Sequence, residues 1–447
     1  MNQPSIAPVE SSAASVTLLA ERARVTSRAV AKLSLDQRNE VLLSAARAIE
    51  NGASRILEAN ARDRRTAEGA VAAGGTTSAM LARLRVTERT IAQMAKQVRE
   101  VAGLSDPLGK RLAATELDNG LVLIKESCPL GVVGVIFESR PDVVPQLASL
   151  GLKSGNAVIL KGGSEAAATN EVLVAIWREL LAKFPNVPAD SITLLQTRAD
   201  VLDLLSQDQN VDLIIPRGSY ELVQYVMQHS RIPVLGHGEG ICHVYVDRAA
   251  DINKAVAISY DSKVQYPAVC NAAETLLVHQ DIAREFLPRA VAKLKEAGVE
   301  VRGCAKTIAL LFDQGIIPAT EEDWRSEYAA LILSVKVVGN LDEAIDHINH
   351  YGSHHTDAIV TEESAAAAKF MNEVDSAGVF QNASTRFADG FRYGFGAEVG
   401  ISNGKLHARG PMGLEGLTTY KYKLYGSGQI VADYASGKRR FTHRRLQ

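Results

Sequence analysis

Residues 131–163 read GVVGVIFESRPDVVPQLASLGLKSGNAVILKGG, and their order decides the fold. GVVGVIF is an apolar run of strand length. PDVVPQLASLGLKSG has a helical pattern that ends near a glycine, and AVILK is a second apolar strand closed by a glycine pair. Apolar runs without alternation belong to strands buried on both faces. A strand, a helix and a second strand within about 30 residues make a βαβ unit with parallel strands. The rhythm continues through a helix in 164–184, SITLL (191–195), a helix in 199–207, LIIP (213–216) and a helix in 217–230. A doubly wound α/β sheet follows, with its ligand at the carboxyl ends of the strands.

The flanks read differently. The first hundred residues are helical; Ser34 with Gln37 forms a capping box ahead of Val41, Leu42, Ala45 and Ile49. ATELDNGLVLIKESCP (114–129) alternates about Asp118-Asn119-Gly120, a hairpin turn signal. A second α/β unit begins near Asp251, with strands in TLLVH, KVVG and DAIVT and a glycine-rich stretch from Gly390 to Gly416.

Composition narrows the function. The 447 residues are 46% hydrophobic and 22% charged, with a formal charge of −2. That balance gives no global attraction to nucleic acid or anionic lipid. No apolar run reaches the roughly 18–20 residues of a membrane span, and the N-terminus lacks a signal-peptide pattern. A cytoplasmic protein is expected. Cys128, Cys242, Cys270 and Cys304 are scattered without a CxxC pair, so no disulfide framework is expected. His347, His350, His354 and His355 crowd together, but no Cys or acidic partner completes a ligand set, so no metal is expected.

Two strand-to-helix turns suit an anion. In AVILKGGSEA, Lys161 ends a strand, Gly162 and Gly163 admit a ligand to the backbone, and Ser164 can cap the next helix. In LIIPRGSYEL, Arg217, Gly218 and Ser219 precede another helix. Helix N-termini present free N–H groups to phosphate. The GxGxxG fingerprint is absent. Cys270, in QYPAVCNAAETLLVH (265–279), has two readings: a small core residue, or a thiolate nucleophile activated at the start of a short helix in CNAAET.

GVVGVIFESRPDVVPQLASLGLKSGNAVILKGGSEA, LIIPRGS, YPAVCNAAETLLVH, HTDAIVT and NASTRFADGFRYGFGAEVGIS, in that order, resemble the γ-glutamyl phosphate reductases. These are also called glutamate-5-semialdehyde dehydrogenases and form a family within the aldehyde dehydrogenase superfamily. The resemblance runs from about Leu33 to Leu424. It implies a Rossmann-like NADP-binding domain (1–112 and 130–248), an α/β catalytic domain (249–416) and a small oligomerisation β-flap (113–129 and 417–447).

Residue by residue, the resemblance makes Cys270 the nucleophile. It gives Lys161, Gly162, Gly163 and Ser164 to the adenosine ribose and its phosphate, Gly218 and Ser219 to the pyrophosphate, and Glu327 to the nicotinamide ribose. Lys161 at the strand end favours NADPH. Ser139 stands where other aldehyde dehydrogenases carry asparagine and is the oxyanion candidate. Gly236 falls where they carry a general-base glutamate, with Glu239 nearby.

The implied reaction is NADPH-dependent reduction of L-glutamate 5-phosphate to glutamate 5-semialdehyde through a cysteine thioester, on the route to proline. Arg140, Asn382, Ser384, Arg386 and Arg409 are the substrate-binding candidates. A homo-oligomer, dimer or tetramer, is expected through the flap, and substrate channelling from glutamate 5-kinase is a further partner reading. The alternatives are a general NAD(P)-dependent aldehyde dehydrogenase that hydrolyses its thioester, and a non-catalytic binding protein of the same fold.

Overall fold

The computed structural model describes residues 13–72, 81, 83–138, 140–236 and 238–446. The chain divides into two compact units. One comprises Met1–Leu235, Phe395–Gly400 and Met412–Gln447; the other comprises Gly236–Gly394 and Ile401–Pro411. No helix among the described residues is long and apolar enough to cross a membrane.

The strands of the first unit's body begin with β1 (Arg111–Asp118), β2 (Leu121–Pro129), β3 (Val132–Phe137), β4 (Ala157–Lys161), β5 (Ile192–Leu195) and β6 (Leu213–Arg217). β3 to β6 form a parallel sheet in the order β5-β4-β3-β6, with Val135 opposite Leu160 and Ile136 opposite Pro216. Every residue of β3 and β4 is buried, as their uninterrupted apolar runs require. The chain adds β4 and β5 on one side of β3 and then returns to add β6 on the other. The carboxyl ends of β3 and β6 therefore meet at a topological switch point.

Helix Ala13–Val30 covers one face, packing Val16, Ala20 and Ala23 on Ile159 and Ile214. Helices Leu35–Asn51 and Glu88–Gly103 pack on helices Val143–Lys153 and Ala167–Leu181. The capping box at Ser34 and Gln37 is present.

β1 and β2 form the expected hairpin, with Gly120 in the left-handed conformation at its turn (φ 68°). Strand Thr418–Tyr425 pairs antiparallel with β2, and strand Arg444–Leu446 pairs with β1, making a separate four-stranded sheet. Arg444 and Arg439 fasten the tail to Glu116 and Asp118.

The second unit is built on β7 (Cys242–Val246), β8 (Ala273–His279), β9 (Glu300–Gly303), β10 (Ile317–Pro318), β11 (Ile332–Val338), β12 (Thr356–Val360) and β13 (Gly378–Gln381). All pair in parallel, in the order β10-β9-β11-β8-β7-β12-β13. β7 is the departure from the sequence reading, which saw no strand there and placed residues up to 248 with the first domain. Instead β7 is central to the second sheet, and the division falls between Leu235 and Gly236.

The reason β7 escapes pattern reading is its polar content. His243 and Tyr245 are fully buried, and each has an acidic partner inside the fold. The His243 amide and Nδ1 both meet Asp357 Oδ1 (2.7 and 2.8 Å), and the Tyr245 hydroxyl donates to Asp247 (3.1 Å).

The four crowded histidines separate. His347 is buried against Trp324 and Lys336, and burial pushes it down to about 2. His350 meets Arg325, His354 meets the carbonyl of Asp375, and His355 lies 3.7 Å from the Cys242 sulfur. Among the described residues no group of three or more His, Cys, Asp or Glu could hold a metal ion.

Candidate active site

In the first unit, the predicted cofactor residues gather at the carboxyl ends of β4 and β6. Lys161 is buried, and its Nζ donates to the carbonyl of Gly162 (2.5 Å). Burial lowers its pKa, against the opposing pull of Glu165 and Asp200. No carboxylate among the described residues lies within ion-pair distance of it. Ser164 opens a short 3-10 turn, Ser164–Ala166, and does not cap the helix that follows. The cap comes from Asp63 of helix Ala53–Ala72, whose carboxylate accepts from the amides of Ala168 (3.0 Å) and Thr169 (2.8 Å). This contact spans over a hundred residues of chain and leaves no local sequence signal.

At β6, Ser219 is the N-cap of helix Tyr220–His229 and accepts from the Leu222 amide. Its own N–H donates to Glu138 Oε2 (2.7 Å), and a Cβ at Gly218 would stand 2.3 Å from that same oxygen. A carboxylate thus already sits at the helix N-terminus, over a bare glycine backbone. Free N–H groups at a helix N-terminus suit an anion, and here the anion is the Glu138 carboxylate. Arg140 is on the surface, paired with Asp142 (3.2 Å). Ser139 lies outside the described residues.

In the second unit, Cys270 is half-buried in the turn that enters β8. No helix starts there: Ala273–His279 is strand, so the expected helix-terminus activation of the thiol is absent. Close backbone packing positions the turn instead. A Cβ at Gly240 would come within 2.1 Å of the Cys270 carbonyl oxygen and 2.4 Å of its Cα. The buried Cys242 thiol donates to that carbonyl (3.2 Å), and burial raises the pKa of Cys242. Asn271 Nδ2 donates to the carbonyl of Ala388 (2.8 Å).

Four residues beyond Cys270, Glu274 forms a fully buried ion pair with Lys263 (2.5 Å). Burial pushes both groups toward their neutral forms, Glu274 up to about 7. The other Glu274 oxygen accepts from the Ala329 amide (3.4 Å), which joins the nucleophile's strand to the segment carrying Glu327. Glu239 is half-buried, and its pKa is raised by burial and by the charges of Glu327 and Glu322.

The remaining substrate candidates part company. Asn382 is committed to Thr361, accepting from its amide and donating to its carbonyl. Ser384 bonds the Ser262 hydroxyl (3.1 Å) and the Arg386 amide (3.2 Å). Arg409 pairs with Asp375, which also holds Lys405. Arg386 is buried and reaches back to Gln265 (2.9 Å), which places it beside the Cys270 turn.

A model of the aldehyde dehydrogenase family matches residues 2–302. A γ-glutamyl phosphate reductase from Synechococcus sp. (strain JA-3-3Ab) is 54% identical over 94% of this chain and 92% of its own length. The chain belongs to the γ-glutamyl phosphate reductases of the aldehyde dehydrogenase family. A second member, from Natronomonas pharaonis, is 53% identical over 93% of this chain and 94% of its own. The crystal structure of the Thermotoga maritima γ-glutamyl phosphate reductase superposes with a TM-score of 0.90 at 40% identity, covering 93% of this chain and 99% of that one. The family assignment makes the chain an oxidoreductase.

Proposed function

We propose that the chain reduces L-glutamate 5-phosphate to L-glutamate 5-semialdehyde and phosphate, with NADPH as reductant, on the route from glutamate to proline. The observation that carries this is the half-buried Cys270, fixed by its own backbone contacts beside the buried cation Arg386. The near-full-length similarity to γ-glutamyl phosphate reductases supports the substrate.

The Cys270 thiolate attacks the γ-carbonyl carbon, a C–S bond forms, and the C–O bond to phosphate breaks with its electron pair leaving on phosphate. Backbone N–H groups of the Cys270 turn would stabilise the carbonyl oxygen as it gains charge, and the family resemblance makes Ser139 a further candidate donor. When bound, NADPH supplies the hydride that reduces the thioester carbon. Release of the thiolate as the C–S bond breaks then gives the aldehyde. Thiolate displaces phosphate and hydride then attacks the thioester, so no water attacks and the chemistry needs no residue to activate one. Gly236 at the position of the usual base fits that requirement.

For the cofactor, Lys161 with Gly162, Gly163 and Ser164 would hold the adenosine ribose and its phosphate. Gly218 and Ser219 would hold the pyrophosphate where Glu138 now stands in, and Glu327 the nicotinamide ribose. Buried Lys161, with no ion-pair partner among the described residues, favours a phosphorylated ribose and hence NADPH. The flap sheet, with Tyr420, Tyr422 and Leu424 exposed on its edge strand, favours assembly with a second copy.

The test is reduction of NADP⁺ by glutamate 5-semialdehyde, with and without inorganic phosphate, in wild type and Cys270→Ala. The reading predicts activity that requires both phosphate and the thiol. Activity without phosphate would instead indicate thioester hydrolysis.

A further inference from the structure

Arg386 is only 6% exposed, yet among the described residues no carboxylate forms an ion pair with it. Its Nε donates to Gln265 Oε1 (2.9 Å). Among the described residues no carboxylate lies within ion-pair distance of the guanidinium, and neither terminal nitrogen has a hydrogen-bond partner. Asp389 acts on it from farther off, but that carboxylate is turned to the amides of Phe391 (3.0 Å) and Arg392 (3.2 Å) and to the Arg392 guanidinium (3.7 Å). Arg392 adds a second positive charge, and its Nη1 donates to the Arg386 carbonyl (2.8 Å). A buried guanidinium without an anion is costly, and the missing anion is most simply a ligand.

The location says which anion. Arg386 is bonded to Gln265, five residues before the nucleophile, and Ala388 is bonded to Asn271, the residue after it. The turn Thr385–Phe387 is thus strapped to both sides of the Cys270 loop, and Cys270 is among the groups whose charge acts on Arg386. An acyl phosphate of glutamate has two anionic ends. The phosphoryl group is attached to the carbon that the thiol attacks. The α-carboxylate stands three carbons away, about 5 Å in an extended chain with bonds of about 1.5 Å.

We infer that Arg386 holds the phosphoryl group of the substrate, and not its α-carboxylate, and that it is the inorganic phosphate site of the reverse reaction. The inference rests on the acyl-phosphate reading above. In the forward direction the guanidinium receives the charge that accumulates on phosphate as the C–O bond breaks. In reverse, a phosphate oxygen attacks the thioester, the C–S bond breaks, and Cys270 leaves as thiolate. The planar fork of arginine suits two phosphate oxygens at once, which a lysine point charge does not.

The experiment uses the full-length enzyme in the reverse direction, with glutamate 5-semialdehyde, NADP⁺ and varied inorganic phosphate. Arg386→Lys is expected to raise the KM for phosphate about tenfold and Arg386→Gln roughly 100-fold, with the semialdehyde KM within about threefold of wild type. In the wild type alone, inorganic phosphate should protect Cys270 from iodoacetamide, with half-protection near the phosphate KM. A raised semialdehyde KM with an unchanged phosphate KM would place the α-carboxylate at Arg386 and overturn the assignment. Unchanged KM values with lower kcat and Tm would make the residue structural and overturn it equally. So would wild-type Cys270 that phosphate does not protect. NADP⁺ reduction that ignores phosphate in the wild type is a separate result: it removes the acyl-phosphate reading itself, and this inference with it.

Discussion

Replacing Gly240 by alanine tests whether backbone packing, in place of a helix terminus, positions the nucleophile. The new Cβ would stand 2.1 Å from the Cys270 carbonyl oxygen, 2.4 Å from its Cα and 2.6 Å from its carbonyl carbon. Ordinary contact begins near 3.4 Å, so the two segments must part by about 1.3 Å. All three neighbours are backbone atoms, and no side-chain rotation relieves the clash. The Gly240 side is held by the Ile241 amide, which donates to Ser353 Oγ (2.8 Å), so the displacement falls on the Cys270 turn. Misplacing a reacting group by about 1 Å costs on the order of 100-fold in rate. Overpacking costs ~1–3 kcal/mol of stability. The expected result for Gly240→Ala is therefore a kcat about 100-fold lower in the phosphate-dependent assay, with a Tm lower by a few degrees. Gly103→Ala, where an added Cβ meets nothing within 4 Å, serves as the control and should keep both values. A Gly240→Ala enzyme with wild-type kcat would refute the reasoning.

Three further outcomes are expected. Glu274→Gln leaves Lys263 buried without its carboxylate and should cost roughly 3–5 kcal/mol in urea unfolding, whereas Lys263→Met with Glu274→Met should recover much of that loss; a single variant as stable as wild type would refute the pairing. Lys153 is fully buried beside Arg38, with its Nζ donating to Asn39 (2.6 Å) and the Ala102 carbonyl (2.8 Å), and burial lowers its pKa from 10.5 to about 8. Between these values the unfolded chain binds more protons than the folded one, so the stability of wild type relative to Lys153→Met should rise from pH 8 to 10.5 and stay flat below 8; a flat difference throughout contradicts the assigned burial. Lys161→Met should weaken NADPH binding about tenfold or more in a fluorescence titration while changing NADH binding little, and equal losses for both would detach Lys161 from the ribose phosphate.

The parts of this fold that could be read from sequence are those where one physical demand dominates. GVVGVIF and AVILK had to be strands buried on both faces, and they pair in register as such. The hairpin at Asn119-Gly120 and the cap at Ser34 rest on local backbone chemistry and stand where local chemistry puts them. β7 was illegible because CHVYV mixes polar and apolar residues, and the partners that make it buriable, Asp357 and Asp247, are found only in the fold. Missing that strand moved the division between units from Gly236 to past residue 248.

At the candidate site, Cys270 was reached through its motif, while the helix invoked for its activation gave way to strand and close glycine contact. Asp63 as a cap has no local signature at all. Sequence could name Arg140, Arg386 and Arg409 but not rank them, because what separates them is which one lacks a carboxylate partner. Arg140 has Asp142 and Arg409 has Asp375, whereas Arg386 is buried beside the nucleophile with none among the described residues.

The most direct test of the central claim, a thioester on Cys270 that phosphate and not water resolves, is a single-turnover experiment without phosphate. Enzyme, NADP⁺ and glutamate 5-semialdehyde are mixed, NADPH is followed at high enzyme concentration, and the cysteine peptide is analysed by mass spectrometry. The account predicts a burst of one NADPH per active site that then stops, an acyl group on Cys270, and renewed turnover when phosphate is added. Steady NADPH formation without phosphate, or an acyl group on any other residue, would contradict it.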